Sequence, residues 1–276
     1  MIKSTRPSNA IAGLTAASLG LILLLISIQM APAQDSRQKA WDVLQAGIQE
    51  KSAGDRATAI NALGLLRNDP KAVEYAEKAL EDKDPGVRIA AMTALGQMGS
   101  KKSIARMKEI AKNDTESGVI LAGAHAAILL GDNSGYEVYY AILTGERKSG
   151  DSLMEAQAKM LKDPKKMAQF GFAAGVGFIP YASAGLGVVK AVSKDDASPV
   201  RAAAARNLAK DTDPRSGKAL AQAVSDKSEI VRAAVLDAIA QRGEASLVSA
   251  VEPALADSKP AVRYMAAAAL LRLTAK

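Results

Sequence analysis

The stretch that decides the fold is residues 82–95, DKDPGVRIAAMTAL, in which an Asp stands five residues before a Val and the Val opens a run of small apolar residues. The same arrangement occurs five times. The pairs are Asp82 and Val87, Asp114 and Val119, Asp195 and Val200, Asp226 and Val231, and Asp257 and Val262. The Val positions step by 32, 81, 31 and 31 residues. Self-similarity at such a period is typical of stacked helical units.

Each unit is predicted to be a pair of antiparallel helices. In the clearest unit, Pro85 suits the first turn of a helix, and Val87, Ala91 and Leu95 follow at helical spacing. Second helices carry an apolar stripe at a fixed offset from the Val, as in Ile104, Met107, Ile110 and Ala111, and again in Tyr136, Tyr139, Ile142 and Leu143. This repetition predicts that every unit buries the same faces against its neighbours.

In an earlier, less regular unit, Arg56 stands at the position that corresponds to Arg88. This unit is expected to be an end cap of the stack. Trp41, Val43 and Leu44 are predicted to lie on a preceding helix that covers this unit. The chain is therefore expected to divide into a targeting segment at 1–33, repeats at 34–145, an insertion at 146–193, and repeats at 194–276.

The pattern D-x-x-x-x-V-R, with Val-Arg at 87/88, 200/201, 231/232 and 262/263, resembles HEAT repeats of the phycobilisome-lyase type. The resemblance covers roughly residues 52–145 and 194–276. It implies an all-α fold, an α-solenoid of HEAT-like helical hairpins with a Gly/Phe-rich helical insertion. Ile120 stands where Arg is expected, so an arginine ladder along the stack would be interrupted there.

The recurring Asp and Arg residues are predicted to be structural. An Asp before a helix accepts hydrogen bonds from unpaired amides, and an Arg one turn into the helix can bridge to the Asp of a neighbouring repeat. A catalytic group is needed once, whereas these residues recur in unit after unit. Loss of one Arg from a partly exposed ladder is expected to cost on the order of 1 kcal/mol.

The first 33 residues have the pattern of an export signal. Lys3 and Arg6 precede a charge-free run, and Ala31-Pro32-Ala33 places small residues where a signal peptidase cleaves, so the mature chain is expected to begin at Gln34. A membrane anchor is the alternative, because an apolar run of about 20 residues can span a bilayer. The protein is expected to be exported, either periplasmic or extracellular.

The insertion contains a charge-free stretch from Met167 to Val189. This stretch holds the aromatic residues Phe170, Phe172, Phe178 and Tyr181. Three interpretations remain open: the aromatic side chains plug a joint between two sub-solenoids, they bind a partner, or residues 167–189 contact a membrane.

Composition excludes several kinds of chemistry. The chain has no Cys, which rules out disulfides and thiolate metal sites. Its one histidine, His125, stands among alanines, and no hydrolase or phosphate-loop motif occurs. No catalytic residue, cofactor or metal is therefore expected. Without Lys3 and Arg6 the chain has 34 basic and 29 acidic side chains, a net charge of +5, and the two signs are mixed along the sequence, which argues against nucleic-acid binding.

These features predict a noncatalytic scaffold that binds a protein partner. In HEAT-type solenoids the second helices usually line the concave face, where Lys108, Glu137 and Tyr140 are expected to be exposed. Together with Phe170, Phe172, Phe178 and Tyr181 they form the predicted partner-binding set. The alternatives are a lyase-like enzyme or enzyme accessory whose pocket is shaped by the insertion, and a membrane-associated assembly factor.

Overall fold

The computed structural model describes residues 34–144 and 198–275. Every regular element in these ranges is helical, and the predicted all-α fold is confirmed. The N-terminal block contains α1 (34–48), α2 (Ala53–Leu63), α3 (Pro70–Ala79), α4 (Pro85–Met98), α5 (Ile104–Asn113), α6 (Ser117–Leu129) and α7 (Gly135–Leu143). The C-terminal block contains α8 (Ser198–Leu208), α9 (Pro214–Ala223), α10 (Glu229–Arg242), α11 (Val248–Val251) and α12 (Pro260–Leu273). Short 3₁₀ turns lie at Lys101–Ser103, Ala245–Leu247 and Glu252–Ala256.

Local sequence fixes where the helices begin and end. Helices α3, α4 and α9 each start with a Pro that follows a capping Asp. Asp84, for example, accepts a hydrogen bond of 2.8 Å from the Gly86 amide. This bond satisfies one of the amides that a helix start leaves unpaired. Helices α4 and α10 end at Gly99 and Gly243, whose φ angles of 78° and 70° lie in the left-handed region that favours glycine.

The first helices of the repeats stack side by side in an order that differs from their order in the sequence. In the C-terminal block α8 packs on α10 and α10 on α12, and in the N-terminal block α2 packs on α4 and α4 on α6. Helix α12 then packs on α2. The spatial order is therefore α8, α10, α12, α2, α4, α6, and the N-terminal repeats follow the C-terminal ones in one array.

The middle of this array is a repeat made from both ends of the sequence, with α12 as its first helix and α1 as its second. Arg37 of α1 donates to the backbone carbonyl of Leu271 at 3.2 Å and to the Thr274 hydroxyl at 2.8 Å. Ser36 donates to a Glu252 carboxylate oxygen at 2.6 Å. Gly47 lies so close to the ring of Tyr264 that a Cβ there would overlap it. We call this α12–α1 pair the junction repeat.

Helix α1 also packs against the second helix of the following repeat. The rings of Trp41 in α1 and Tyr75 in α3 have centroids 6.3 Å apart, and the side-chain amide of Gln45 donates to the Tyr75 hydroxyl. Trp41 and Leu44 are buried, as expected for a helix that covers the first N-terminal repeat. The small aromatic content of the chain is thus partly concentrated beside the junction repeat.

The expectation that the unit at Arg56 is an end cap is wrong. Helix α2 is covered by α4 on one side and by α12 on the other, and its Ile60 and Leu63 are fully buried. Within the described residues, the ends of the array are instead the α8–α9 and α6–α7 repeats. Val200 and Tyr136, which the sequence places on buried stripes, are 64% and 46% exposed because they lie in these two end repeats.

The two blocks meet through α12, α1 and α2. The predicted targeting segment, the insertion, and with it the predicted plug of Phe170, Phe172, Phe178 and Tyr181, lie outside the described residues.

Candidate functional site

An arginine ladder runs along the array, as the sequence predicts. Each Arg uses Nε and Nη2 to bind both carboxylate oxygens of the Asp that precedes the next first helix, and every donor–acceptor distance is between 2.7 and 3.0 Å. The pairs are Arg56–Asp82, Arg88–Asp114, Arg201–Asp226 and Arg232–Asp257. Such two-point contacts fix orientation as well as distance. They tie α8 to α10, α10 to α12, α2 to α4 and α4 to α6, so their role is structural.

The ladder carboxylates are held ionised. Hydrogen bonds from Arg56 and Arg201 lower the pKa of Asp82 and Asp226, respectively, below the ordinary value. Burial by itself would raise the pKa of Asp114 and Asp257, but the bonds from Arg88 and Arg232 and from nearby amides outweigh it, and both pKa values are lowered. Each of the four Asp residues also accepts from the amide two residues further on.

The predicted interruption at Ile120 falls on α6, at an end of the array rather than in its interior. At the junction repeat the turn before α2 has a Glu in the place of the ladder Asp. Arg88 donates through Nη1 to the backbone carbonyl of Asp82, and Arg56 donates in the same way to that of Glu50. Glu50 therefore occupies in the α1–α2 turn the position that Asp holds elsewhere.

The described residues offer few groups for acid–base chemistry. His125 on α6 is half-buried, and burial lowers its pKa below the ordinary value, which favours the neutral imidazole at pH 7. Within residues 34–144 and 198–275, no three His, Asp or Glu side chains stand close enough to hold a metal ion. No helix in these same ranges is long and apolar enough to cross a bilayer.

A groove of about 510 Å³ lies between α5 and α7, above α6. Its floor consists mainly of small residues on α6, among them Gly123, Ala124 and Ala127, and Ala105, Lys108 and Lys112 of α5 form one edge. Because these α6 side chains are short, they do not fill the space between α5 and α7. We call this feature the α5–α7 groove.

The turn before α7 anchors one edge of the groove. Lys108 Nζ donates to a carboxylate oxygen of Asp132 at 3.2 Å and to the Ser134 hydroxyl at 2.8 Å. Hydrogen bonds from the Ser134 hydroxyl and amide, together with Lys108, lower the pKa of Asp132 to about 2. These contacts connect α5 to the start of α7 across the groove while leaving about half of the Lys108 side chain exposed.

The α6–α7 repeat exposes large hydrophobic side chains outside the groove. Leu129, Tyr136 and Tyr140 are 55%, 46% and 59% exposed, and they are three of the four large hydrophobic side chains that are exposed in the described residues. Tyr136 and Tyr140 are four residues apart and share one face of α7. Neither tyrosine lines the groove. We call Tyr136 and Tyr140 the end patch.

The predicted site residues are thus brought together only in part. Lys108 borders the groove, Tyr140 belongs to the end patch, and Glu137 is exposed elsewhere on α7. Phe170, Phe172, Phe178 and Tyr181 lie outside the described residues. The sequence reasoning missed Leu129 and Tyr136, although Ile120, in place of an Arg, marked this repeat as an end of the ladder.

A single row of stacked helical pairs, with Arg–Asp pairs that link neighbouring repeats within each block, defines an α-solenoid. A family model described as HEAT repeats matches residues 41–128 and 217–275, which together are more than half of the chain. The chain belongs to the HEAT-repeat family.

No curated protein matches the chain. Human deoxyhypusine hydroxylase in complex with glycerol is 18% identical, with a TM-score of 0.30 and coverage of 90% of both chains. The complex of CpcE and CpcF of phycocyanin lyase from Nostoc is 21% identical, with a TM-score of 0.32 and coverage of 75% of this chain and 79% of that one. An engineered protein is 15% identical, with a TM-score of 0.26 and coverage of 87% and 96%. The family assignment rests on the repeat match, and these structures add no argument to it.

Proposed function

We propose that this protein is an exported, noncatalytic scaffold that binds a protein partner through the α5–α7 end of its solenoid. The observation that carries the proposal is the end patch. Exposed apolar patches on soluble proteins mark interaction sites, and tyrosine is enriched where interfaces concentrate their binding energy. The end patch is formed by Tyr136 and Tyr140, which are exposed on one face of α7.

Export is the second element of the proposal, and it rests on the sequence of residues 1–33. Cleavage after Ala33 would leave Gln34 at the N-terminus, directly before the α1 residues that pair with α12. N-terminal sequencing of the native protein is expected to return Gln34, and recovery of Met1 would favour a retained anchor. The narrower resemblance to the phycobilisome-lyase type, and a membrane contact through residues 167–189, stay predictions.

Partner binding is tested by chemical cross-linking in the exported fraction, followed by mass spectrometry. The variant Tyr136→Ser/Tyr140→Ser removes both aromatic rings of the end patch. Lys218→Ser/Gln222→Ser is the matched control, because these exposed residues are also four apart on a second helix, α9, at the opposite end of the array. The wild type and the control are expected to cross-link the same protein, and the tyrosine variant is expected to lose it.

Retention of that protein by the tyrosine variant would contradict the proposed site. Thermal melting distinguishes lost binding from lost folding. Because both tyrosines are substantially exposed, the double change should alter stability little, since exposed substitutions usually stay within about 0.5 kcal/mol each.

A further inference from the structure

The Arg–Asp ladder leaves out one interface between stacked first helices. Within residues 34–144 and 198–275, Arg–Asp pairs join α8 to α10, α10 to α12, α2 to α4 and α4 to α6. The remaining interface, between α12 and α2, joins the C-terminal block to the N-terminal block. Arg263 is the arginine of this position on α12, and it forms no ion pair with a carboxylate in the part of the chain that the structure describes. The two blocks are therefore joined without a ladder contact.

Arg263 is nevertheless placed as a ladder arginine. Its Nη1 donates at 2.8 Å to the backbone carbonyl of Asp257, which is the contact that three of the paired arginines make to their own turns. The difference lies in the acceptor. Glu50 stands where the other turns have Asp, and its side chain is one methylene longer. Each ladder Asp is fixed by the amide two residues further on, whereas the corresponding amide, that of Ser52, does not donate to the Glu50 carboxylate. The turn before α2 thus does not hold its carboxylate in the position that a ladder Arg requires.

On the side of the second helices, the same two repeats are held by specific contacts. The rings of Trp41 in α1 and Tyr75 in α3 have centroids 6.3 Å apart, and the Gln45 amide donates to the Tyr75 hydroxyl. Helix α1 is in turn held on α12 by the hydrogen bonds and packing of the junction repeat. The junction repeat is therefore one unit that is pinned to the next repeat at α1 and α3, while α12 and α2 pack together without a charge pair.

We infer that the solenoid opens at the α12–α2 interface. The C-terminal block moves away from α2 together with α1, and the contact between Trp41 and Tyr75 is the pivot. In a hinge motion of this kind, packed units stay intact and one weaker connection absorbs the change. The Arg–Asp pairs restrain the other interfaces, because a two-point contact fixes orientation as well as distance. The interface lies near the middle of the array, so a change of angle there displaces the two end repeats more than the same change near an end. This inference does not rest on the proposed function.

Distances between spin labels test the opening, and labels can be attached selectively because the chain has no Cys. Successive turns have an exposed residue directly after the ladder position, namely Lys227, Ser258, Lys51 and Lys83. In the full chain, Ser258→Cys/Lys51→Cys spans the α12–α2 interface. The controls are Lys227→Cys/Ser258→Cys, which spans α10 and α12, and Lys51→Cys/Lys83→Cys, which spans α2 and α4. Each labelled position of the test pair recurs in a control, so local motion of a label affects both measurements.

Pulsed electron paramagnetic resonance is expected to give one narrow distance distribution for each control. The test pair is expected to give a broader distribution that extends to longer distances. Glu50→Asp supplies the carboxylate that the ladder uses elsewhere, and it should narrow the distribution of the test pair toward that of the controls. Asp82→Glu is the matched reverse change at the α2–α4 interface, and it should broaden the distribution of the pair at Lys51 and Lys83.

Thermal melting of every labelled variant checks that it is folded. A test pair as narrow as both controls would overturn the inference. A broad distribution that Glu50→Asp leaves unchanged, or a control pair that stays narrow in Asp82→Glu, would show that the ladder does not govern the motion and would likewise overturn it.

Discussion

The junction repeat and the α6–α7 repeat share one sequence plan but differ in how completely they are covered. In both, the Val that opens the first helix, Val262 or Val119, is fully buried. The second helices differ: Trp41 and Leu44 of α1 are buried against a neighbouring repeat, whereas Tyr136 and Tyr140 of α7 are exposed. The comparison shows that exposure in a solenoid depends on the neighbours of a repeat as well as on its own pattern.

The largest expected effect comes from placing a charge inside the junction repeat. Val262→Asp buries a carboxylate without a partner at a position that is 0% exposed, which should cost more than about 4 kcal/mol of unfolding free energy. Urea unfolding measures this loss. Val200→Asp, at the equivalent position in the α8 end repeat, is the control and should change stability by no more than about 0.5 kcal/mol. Equal losses would break the comparison between interior and end repeats.

A smaller effect is expected from removing one rung of the ladder. Arg232→Ala leaves the carboxylate of Asp257 without its two-point partner in a pair whose side chains are each 13% exposed. Because the pair is only partly buried, the expected loss is about 1 to 3 kcal/mol, between the cost for an exposed pair and that for a fully buried one. Arg106→Ala, which removes the exposed contacts of Arg106 with Glu81 and Glu109, is the control and should cost less than about 1 kcal/mol. A loss of the same small size in both variants would show that the ladder contributes little.

Adding one methyl group, in the variant Gly47→Ala, tests the packing within the junction repeat. The Cβ of Gly47→Ala would overlap the Tyr264 ring and lie 2.9 Å from the Ala59 Cβ, so we expect a loss of about 1 to 3 kcal/mol. At Gly54 the nearest atom to a Cβ is the Ser52 Oγ at 3.7 Å, and Gly54→Ala should be neutral or stabilising by up to about 1 kcal/mol. The second change Tyr264→Leu should recover part of the Gly47→Ala loss. No recovery would mean that α1 and α12 are not in close contact in solution.

The smallest effect is expected in the pH dependence of stability. The pKa of Asp82 is lowered by its bond from Arg56, so its contribution to stability is present above the unfolded pKa of about 3.9 and is lost as pH falls through the lower folded pKa. Asp82→Asn should be less stable than the wild type near neutral pH, and the difference should shrink below about pH 4. Urea midpoints measured across this range provide the test, and a difference that does not change with pH would contradict it.

The sequence predicted the local structure well because each repeat contains the residues that define its own helices. The Asp that receives the Arg, the Val-Arg pair and the small residues after it identify the first helices and the ladder without knowledge of their neighbours. The sequence estimate of about 1 kcal/mol for a ladder Arg assumed partial exposure, and the 13% exposure of the Arg232 and Asp257 side chains places the expected loss at or above that estimate.

The order of the repeats in space could not be predicted in the same way. The contact between α12 and α2 joins residues more than 190 positions apart, and a periodic pattern contains no information about which ends meet. One clue was present in α1. This helix does not contain the Asp and the Val-Arg motif that mark a first helix, so its sequence is that of a second helix whose partner comes from elsewhere in the chain. The exposure of Tyr136 was missed for the same reason, because the apolar stripe of α7 was expected to pack against a further repeat.

The junction repeat also has a consequence for the time at which the protein completes its fold. Ribosomes synthesise α1 and α2 well before α12, which covers both and lies at 260–273. During synthesis the N-terminal repeats therefore keep one apolar side uncovered until α12 has emerged from the ribosome, because only α12 completes their core.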